Sequence, residues 1–460
     1  MRNISRLFIA VILCSASGAF AQTPNVDQES KSRARRGAVE QKAAEAAALA
    51  KAAPVEAEIS FDQILKAPGD IELNERFAGQ QIRRGDLRGA ATTLERVLLL
   101  ASGRDRTRML YAAVLYRLDD ISDAERELNI LLARSLPQEV KAEADKYMKL
   151  VAASRRRTHF DVRLSLGYGY DDNRNAGPQS GQKLFFGSPL NLSDSSKRRE
   201  DTNVQFAGSA GVSHEIGARG HSVFARVGYY RGEQTVVNIL DLQAYTAKAG
   251  GVLHTRFADF TPTLGFDHVL LSQSSYLHSF NQGLRVSRRL TRRTEVWADF
   301  TREDQGFMRT SLVPLGNERK GDQYDLSLGG AHLLTAFDRL SLTIGHRRKL
   351  AKVRYSAYRR ESLSFEYTRL LGRGMFAVAG LATDFDRYDC EDGTVSPIVR
   401  HDDALTGQLL FGAPLSLLWK PLDGFTGTLG YEHFLQHSNL TNYQYANNKL
   451  TALLTYKWGI

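Results

Sequence analysis

From about residue 158 to residue 460 the chain alternates apolar and polar residues in short runs, and the gaps between runs are alternately long and short. In the first run Phe160, Val162, Leu164, Leu166, Tyr168 and Tyr170 fall in one phase. Asp161, Arg163, Ser165, Gly167 and Gly169 fall in the other. Successive side chains of a strand point to opposite faces, so this run has one greasy and one polar side. A run of about 11 residues is also what a tilted strand needs to cross a bilayer.

Thirteen further runs follow, near 202–216, 221–231, 242–255, 260–271, 276–290, 294–303, 321–333, 338–347, 357–368, 375–385, 403–416, 425–434 and 446–460. Leu340, Leu342 and Ile344 against Ser341, Thr343 and Gly345 is a clear case, as is Leu363, Phe365 and Tyr367 against Ser362, Ser364 and Glu366. Near 375–385 the two phases are about equally apolar, and the pattern assigns no facing. An even strand number suits a bacterial barrel. Long gaps near 177–201, 304–320, 348–356 and 386–402 alternate with short ones at 217–220, 256–259, 291–293 and 336–338. Short turns on the periplasmic side and long loops outside are the expected asymmetry. The pattern predicts a 14-stranded antiparallel transmembrane β-barrel.

The last run, KLTALLTYKWGI, puts Leu450, Ala452, Leu454, Tyr456, Trp458 and Ile460 on one face. It is similar to the closing strand that the outer-membrane insertion machinery recognises, with Ile460 where Phe or Trp is usual and Trp458 nearby. Tyr168, Tyr170, Tyr229, Tyr230 and Phe385 stand at strand ends, where aromatic girdles belong.

Ahead of the barrel the pattern changes twice. Residues 1–21 read as a secretory signal: Arg2 and Arg6, an apolar stretch from Leu7 to Leu13, then Ala19-Phe20-Ala21 before Gln22. Residues 22–58 are rich in Ala, Lys, Glu and Arg, with little to bury, and read as a linker. Residues 61–155 are predicted helical with an internal repeat at an offset of 34. Phe77 aligns with Tyr111, Ala78 with Ala112, Ile82 with Tyr116, Ala90 with Ala124, Leu94 with Leu128, and Leu98 with Leu132. Small residues let two helices approach and large ones fill the gap between them. The arrangement resembles the tetratricopeptide repeat, which has this period. A helix from Glu139 to Leu150 would cap the stack. Such an array is either a peptide-binding surface or a rigid periplasmic spacer.

Composition narrows the chemistry. After removal of the signal Cys390 is the one remaining cysteine, which excludes an intrachain disulfide and a multi-cysteine metal site. The formal charge is +10 and the pI about 9.4. The basic residues are scattered through the strand region, among them Arg288, Arg289, Arg292, Arg293, Arg347, Arg348, Arg359 and Arg360. In an exported chain they fit anionic lipid head groups or a polar lumen, not nucleic acid. His268, His278, His346 and His433 lie on strands with Ser272, Ser279 and Ser341 not far away, the residue types of an acyl-transfer site. Neither they nor His254 show a catalytic or zinc spacing, so no enzyme and no cofactor is expected.

The stretch YGYDDNRNAGP, from Tyr168 to Pro178, closes the first strand. With a repeat domain before it and a barrel of about fourteen strands that begins with it, the chain resembles the surface lipoprotein assembly modulator family, matched at Asp171, Asn173, Asn175 and Ala176. The resemblance covers residues 61–460. It implies an outer-membrane translocator that delivers lipoproteins or related exported proteins to the cell surface. Its partners would be a client lipoprotein, outer-membrane lipids, the barrel assembly machinery and periplasmic chaperones. Asp and Asn also close tight turns by bonding nearby backbone, and that accounts for the motif without a client. Two other function classes stay open: a channel for polysaccharide or small solutes, and an outer-membrane lipase or lipid-modifying enzyme.

Overall fold

The computed structural model describes residues 59–459 apart from residues 119, 156, 218 and 219. The signal and linker expected at 1–58, and Ile460, lie outside the described residues. Two compact units are present.

The helical unit holds α1 (Phe61–Lys66), α2 (Ile71–Arg84), α3 (Leu87–Leu100), α4 (Asp105–Arg117), α5 (Ile121–Leu132) and α6 (Gln138–Arg155). Side chains set the helix starts: Ser60 and Gln63 form a capping box, Asp70 caps α2 and Asp86 caps α3. Gly85, at φ 80°, ends α2 in the left-handed conformation that glycine adopts without a Cβ clash. The starts of α2 and α4 are 34 residues apart (71 to 105), as are those of α3 and α5 (87 to 121). Ala78, Leu94, Ala112, Ala124 and Leu128 are fully buried in one core, with Tyr111 nearly so; Ala90 is also fully buried, and Phe77 packs with Ile59 and Ile64. Arg108 of α4 and Glu127 of α5 form a buried ion pair. No helix among the described residues is long and apolar enough to cross a membrane.

The second unit is a closed antiparallel barrel of fourteen strands. In chain order these are β1 (Thr158–Asp171), β4 (Asp201–Ile216), β5 (His221–Gln234), β6 (Leu242–His254), β7 (Asp259–Leu271), β8 (Ser274–Arg289) and β9 (Thr294–Phe307). There follow β10 (Gly321–Leu333), β11 (Asp338–Lys349), β12 (Tyr358–Gly372), β13 (Met375–Tyr388), β14 (His401–Pro414), β15 (Phe425–Ser438) and β16 (Tyr445–Gly459). The short hairpin β2 (Gln182–Phe185) and β3 (Ser188–Asn191) lies in the first long loop. Each strand pairs with its sequence neighbours, and β1 pairs with β16 to close the cylinder, Tyr170 opposite Leu450 and Leu164 opposite Tyr456. Closure leaves no free edge, which is the condition for a sheet to sit in lipid.

Pairing partners share a face, so the register carries the inside–outside assignment round the whole barrel. Leu166, Phe206, Leu264, Phe266, Phe300, Leu326, Leu328, Leu342, Ile344, Leu363, Leu381 and Leu409 all point outward and are exposed. They form a continuous apolar band. At its short-turn edge stand Phe160, Phe257, Phe337, Trp419 and Trp458, also exposed; the two indoles are amphipathic rings of the kind that suits a membrane interface. On β13, where the pattern left the facing open, the register turns Ala379 and Leu381 outward and Val378, Ala382, Asp384 and Asp386 inward.

The loop asymmetry has two exceptions. On the long-loop side β7 and β8 are joined by Ser272 and Gln273 alone, both at positive φ (46° and 65°). This is a tight two-residue turn whose backbone twist matches that of the paired strands. On the opposite side, residues 415–424 form a longer connection with two short 3-10 turns, Leu415–Leu417 and Lys420–Leu422.

Candidate functional site

The inward face of the barrel is polar and charged along three parts of its wall. On β10 to β13, Asp325 faces Arg347, Arg347 faces Arg360, and Arg360 faces Asp386. Two arginines directly opposite each other repel. The acids on either side resolve this: Arg347 bonds Asp325, while Arg360 donates to Asp386 at 2.6 and 2.7 Å and to Asp384 at 3.0 Å. The fork of a guanidinium suits this bidentate grip on a carboxylate.

On β1 and β4 to β9, Arg226 pairs with Asp161 at 2.8 Å and Arg285 with Asp299 at 3.3 Å. Asp267 accepts from Asn281 at 2.8 Å and from Ser279 at 3.4 Å. Gly265 makes the Asn281 contact possible, since a Cβ there would overlap the Asn281 amide. On β15 and β16, Lys449 bonds Glu432 at 2.9 Å. Fourteen strands about 4.8 Å apart and tilted about 40° enclose a cylinder roughly 28 Å across between backbones. That lies between an eight-stranded barrel, filled by its own side chains, and the 16–18-stranded porins, which hold open water.

At the long-loop end the interior narrows. Tyr230, Leu242, Ala244, Val269, Leu271, Leu277 and Phe307 form an apolar shelf, and Val237 and Leu240 of loop 235–241 and Leu312 and Val313 of loop 308–320 pack onto it. Both loops therefore fold inward. A β-bulge at Tyr276 makes this shelf: the register shifts between Val269 and Leu270, so Tyr276 and Leu277 are both buried. The Tyr276 and Phe307 rings meet edge to face at 5.4 Å. Arg319 lies 5.5 Å and Lys349 5.6 Å from the centre of the Phe307 ring, so the shelf carries a cationic fringe.

The motif residues of the first long loop sit at the same end. Asn173 donates to the carbonyls of Gly177 (3.1 Å) and Ala446 (2.9 Å) and accepts from the Gly177 N–H at 2.8 Å. Asn175 donates to Lys197 O and accepts from Arg199 N, both across the loop. Asp171 accepts from Asn173 N at 3.0 Å, and Ala176 takes a left-handed conformation, φ 46°. All four are buried, and the Asn173 and Asn175 amides and one Asp171 oxygen are used in closing backbone groups. Beyond them the β2–β3 hairpin docks on two neighbouring loops. Phe186 and Gly187 donate to Thr394 O and Val395 O, Asn442 donates to Leu184 O, and Leu184 packs on Val395, Leu440 and Tyr443. Burial lowers Lys183, on this hairpin, to about 8.

The serines and histidines do not come together. His268 and His278 oppose each other on the outer face, whereas Ser279 points inward to Asp267. His346 faces outward to Glu361, Ser341 faces inward, and Ser272 is in a turn. His254 bonds Asp259 at 2.8 Å. No group of His, Cys, Asp or Glu among the described residues could hold a metal ion. The inward acids were missed by the sequence reading, which noted Arg347 and Arg360 only as scattered charge. The spacing of Asp384 and Asp386, two residues apart in one strand phase, is the signal that marks them.

No family model matches the chain, and no curated protein does. Solved structures match over about two thirds of the chain. OccAB3 of Acinetobacter baumannii is 10% identical, covering 66% of this chain and 99% of that one, with a TM-score of 0.36. The outer membrane protein OprD of Pseudomonas aeruginosa is 8% identical, covering 66% and 94%, with a TM-score of 0.34. OpdL of Pseudomonas aeruginosa is 9% identical, covering 66% and 99%, with a TM-score of 0.33. At this identity the likeness is one of fold alone, and the chain's own strand order shows that fold: a closed fourteen-stranded antiparallel β-barrel.

These findings correct the expectation of lipoprotein translocation. The structures named above are OprD, Opd and Occ proteins, and no family model, an assembly modulator's included, matches the chain. The physical reason lies in the signature itself: Asp171, Asn173 and Asn175 are buried and bond backbone of the first loop and of the last strand, so these contacts serve the barrel's own loop.

Proposed function

We propose that the chain is an outer-membrane channel for small polar solutes, with its long-loop end outside and its helical unit in the periplasm. The observation that supports this most is the inward-facing ladder of ion pairs, from Asp325 through Arg347 and Arg360 to Asp384 and Asp386, with Lys449 and Glu432 paired further round the same inner wall. Charged side chains aimed into a cylinder roughly 28 Å wide need water around them, and a hydrated conduit passes solutes that such side chains solvate. The apolar shelf of Tyr276, Phe307 and Val313 narrows one mouth, which favours small solutes over polysaccharide or folded cargo. Lumen charge of both signs sets which ions pass and how fast.

The test is conductance of the full mature chain in planar bilayers, with liposome swelling in a series of sugars of rising size. Discrete conductance steps and a size cut-off are expected. A barrel that inserts yet carries no ion current would overturn the reading.

A further inference from the structure

Arg348 (β11), Arg359 (β12) and Arg387 (β13) stand directly opposite one another in register, in a single row that ends on His401 of β14. They occupy the outward phase, the one that carries Ile344, Leu363 and Leu381 further down the same strands. Cross-strand neighbours lie about 4.5–5.5 Å apart at Cβ, and like charges at that spacing destabilise a sheet.

Only the outer two are paired directly with acids, and Arg359 feels Asp389 from beyond ion-pair distance. Arg348 makes a bidentate pair with Asp389 at 2.7 and 2.6 Å, and Arg387 bonds Asp403 at 2.8 Å. Glu361, one pair further down the barrel, is taken by His346 at 2.7 Å. Arg359, the central member, is exposed and has no ion pair among the described residues. Three guanidiniums in a line with the middle one open form a cradle for one more anion.

Depth says which anion. On β11 the outward apolar residues Leu340, Leu342 and Ile344 centre on Leu342, and Arg348 is six residues further along. That is about 20 Å of strand, or about 15 Å along the membrane normal at a tilt near 40°. The apolar band of such a barrel reaches about 12 Å from its centre. The arginine row therefore lies just beyond the hydrocarbon edge, at the level of lipid head groups, on the long-loop side.

We propose that Arg348, Arg359 and Arg387 anchor a phosphate of the phosphorylated glycolipid of the outer leaflet, with Arg359 making the direct contact. The source of the phosphate rests on the long-loop end facing outward; the contact itself does not rest on conduction. Arginine forks match phosphate oxygens, and each basic group at a membrane surface is worth about fivefold in affinity for anionic lipid.

Native mass spectrometry of the full mature chain in detergent, titrated with bisphosphorylated lipid A, tests this. Wild-type protein should retain bound lipid A and hold its dephosphorylated form at least about tenfold more weakly, since two phosphates of charge are lost. Arg359→Gln breaks no ion pair and should weaken binding about fivefold. Joint replacement of all three arginines should weaken it further, while Arg292→Gln, in a turn at the other end, should change nothing. Equal retention of the dephosphorylated lipid, an unchanged Arg359→Gln, or displacement of the lipid by millimolar inorganic phosphate would each overturn the assignment. A protein that conducts no ions but still binds lipid A through Arg359 would sink the channel reading and leave this one standing.

Discussion

Asn173 and Ala446 are joined across the seam of the barrel: the Asn173 amide donates to the Ala446 carbonyl at 2.9 Å, linking the residues after the first strand to the last strand. The same side chain holds both polar groups of Gly177. Asn173→Ala leaves three backbone groups without that partner, in a place where the side chain is fully buried. Each buried group left unpaired costs about 1–3 kcal/mol. The variant should unfold at a clearly lower guanidinium concentration in detergent, followed by tryptophan fluorescence. Asn173→Asp keeps the acceptor for Gly177 N and should fall between the two.

The shelf at the long-loop mouth gives a second expectation. Phe307 packs on Tyr276, on the inward-folded loop residue Val313 and on the rest of that cluster. Phe307→Ala removes a buried ring worth about 3–5 kcal/mol of packing. The loss is local, because loop 308–320 can swing away while the strand ladder persists. Single-channel recordings should show higher conductance with more open-state noise. An unchanged current would mean that this loop does not border the conducting path.

Charge removal inside the wall acts on selectivity. Arg360 neutralises Asp384 and Asp386 together. Arg360→Gln leaves those two carboxylates facing the lumen with Arg347 as the nearest remaining cation in the register. The reversal potential under a tenfold salt gradient should move toward cation preference, and the shift should shrink in 1 M salt, where the screening length is about 3 Å. Asp386→Asn should move it the other way.

Much of this architecture is written in the two-residue period. Leu340, Leu342 and Ile344 announce their strand because lipid and water demand opposite chemistries on its two faces. The same period is silent where both phases are apolar, as at Phe376 to Leu381, and only pairing to β12 and β14 settles that strand. The tight turn at Ser272-Gln273 carries no glycine and so gave no turn signal. Loop folding was also hidden. Val237, Leu240, Leu312 and Val313 are apolar residues in long exposed-looking connections, and nothing local says that they turn into the barrel and not toward a partner. The acid–base ladder was legible in part: alternation puts Arg347 and Arg360 in the polar phase, but matching each to Asp325 and Asp386 needs the register.

A labelling experiment follows from Lys183. Burial lowers this amine from 10.5 to about 8 on the docked β2–β3 hairpin. A base whose folded value is depressed binds fewer protons folded than unfolded between those two values, so the docked hairpin gains stability as pH rises from about 8 to 10.5, loses it as pH falls back through that window, and changes no further below about 8. Acylating reagents attack the neutral amine. At pH 7.5 Lys183 should therefore react about ten- to a hundredfold faster than a lysine of ordinary basicity, read by peptide mass spectrometry. Asn442→Ala, which removes the side chain that holds Leu184 O, should release the hairpin and return Lys183 to an ordinary rate.

The helical unit should fail by itself. Ala78 and Ala112 are fully buried in its core, and a larger side chain at either position has no space to enter. Overpacking of this kind costs about 1–3 kcal/mol. The barrel is held by a separate set of interactions, the closed ladder of fourteen strands. Ala112→Leu should therefore lower the melting temperature of the helical circular-dichroism signal and leave the strand signal and the single-channel conductance at wild-type values. Loss of conductance in step with the helical signal would mean that the helical unit takes part in gating the lumen, and the channel would have to be redrawn with that unit as a working part.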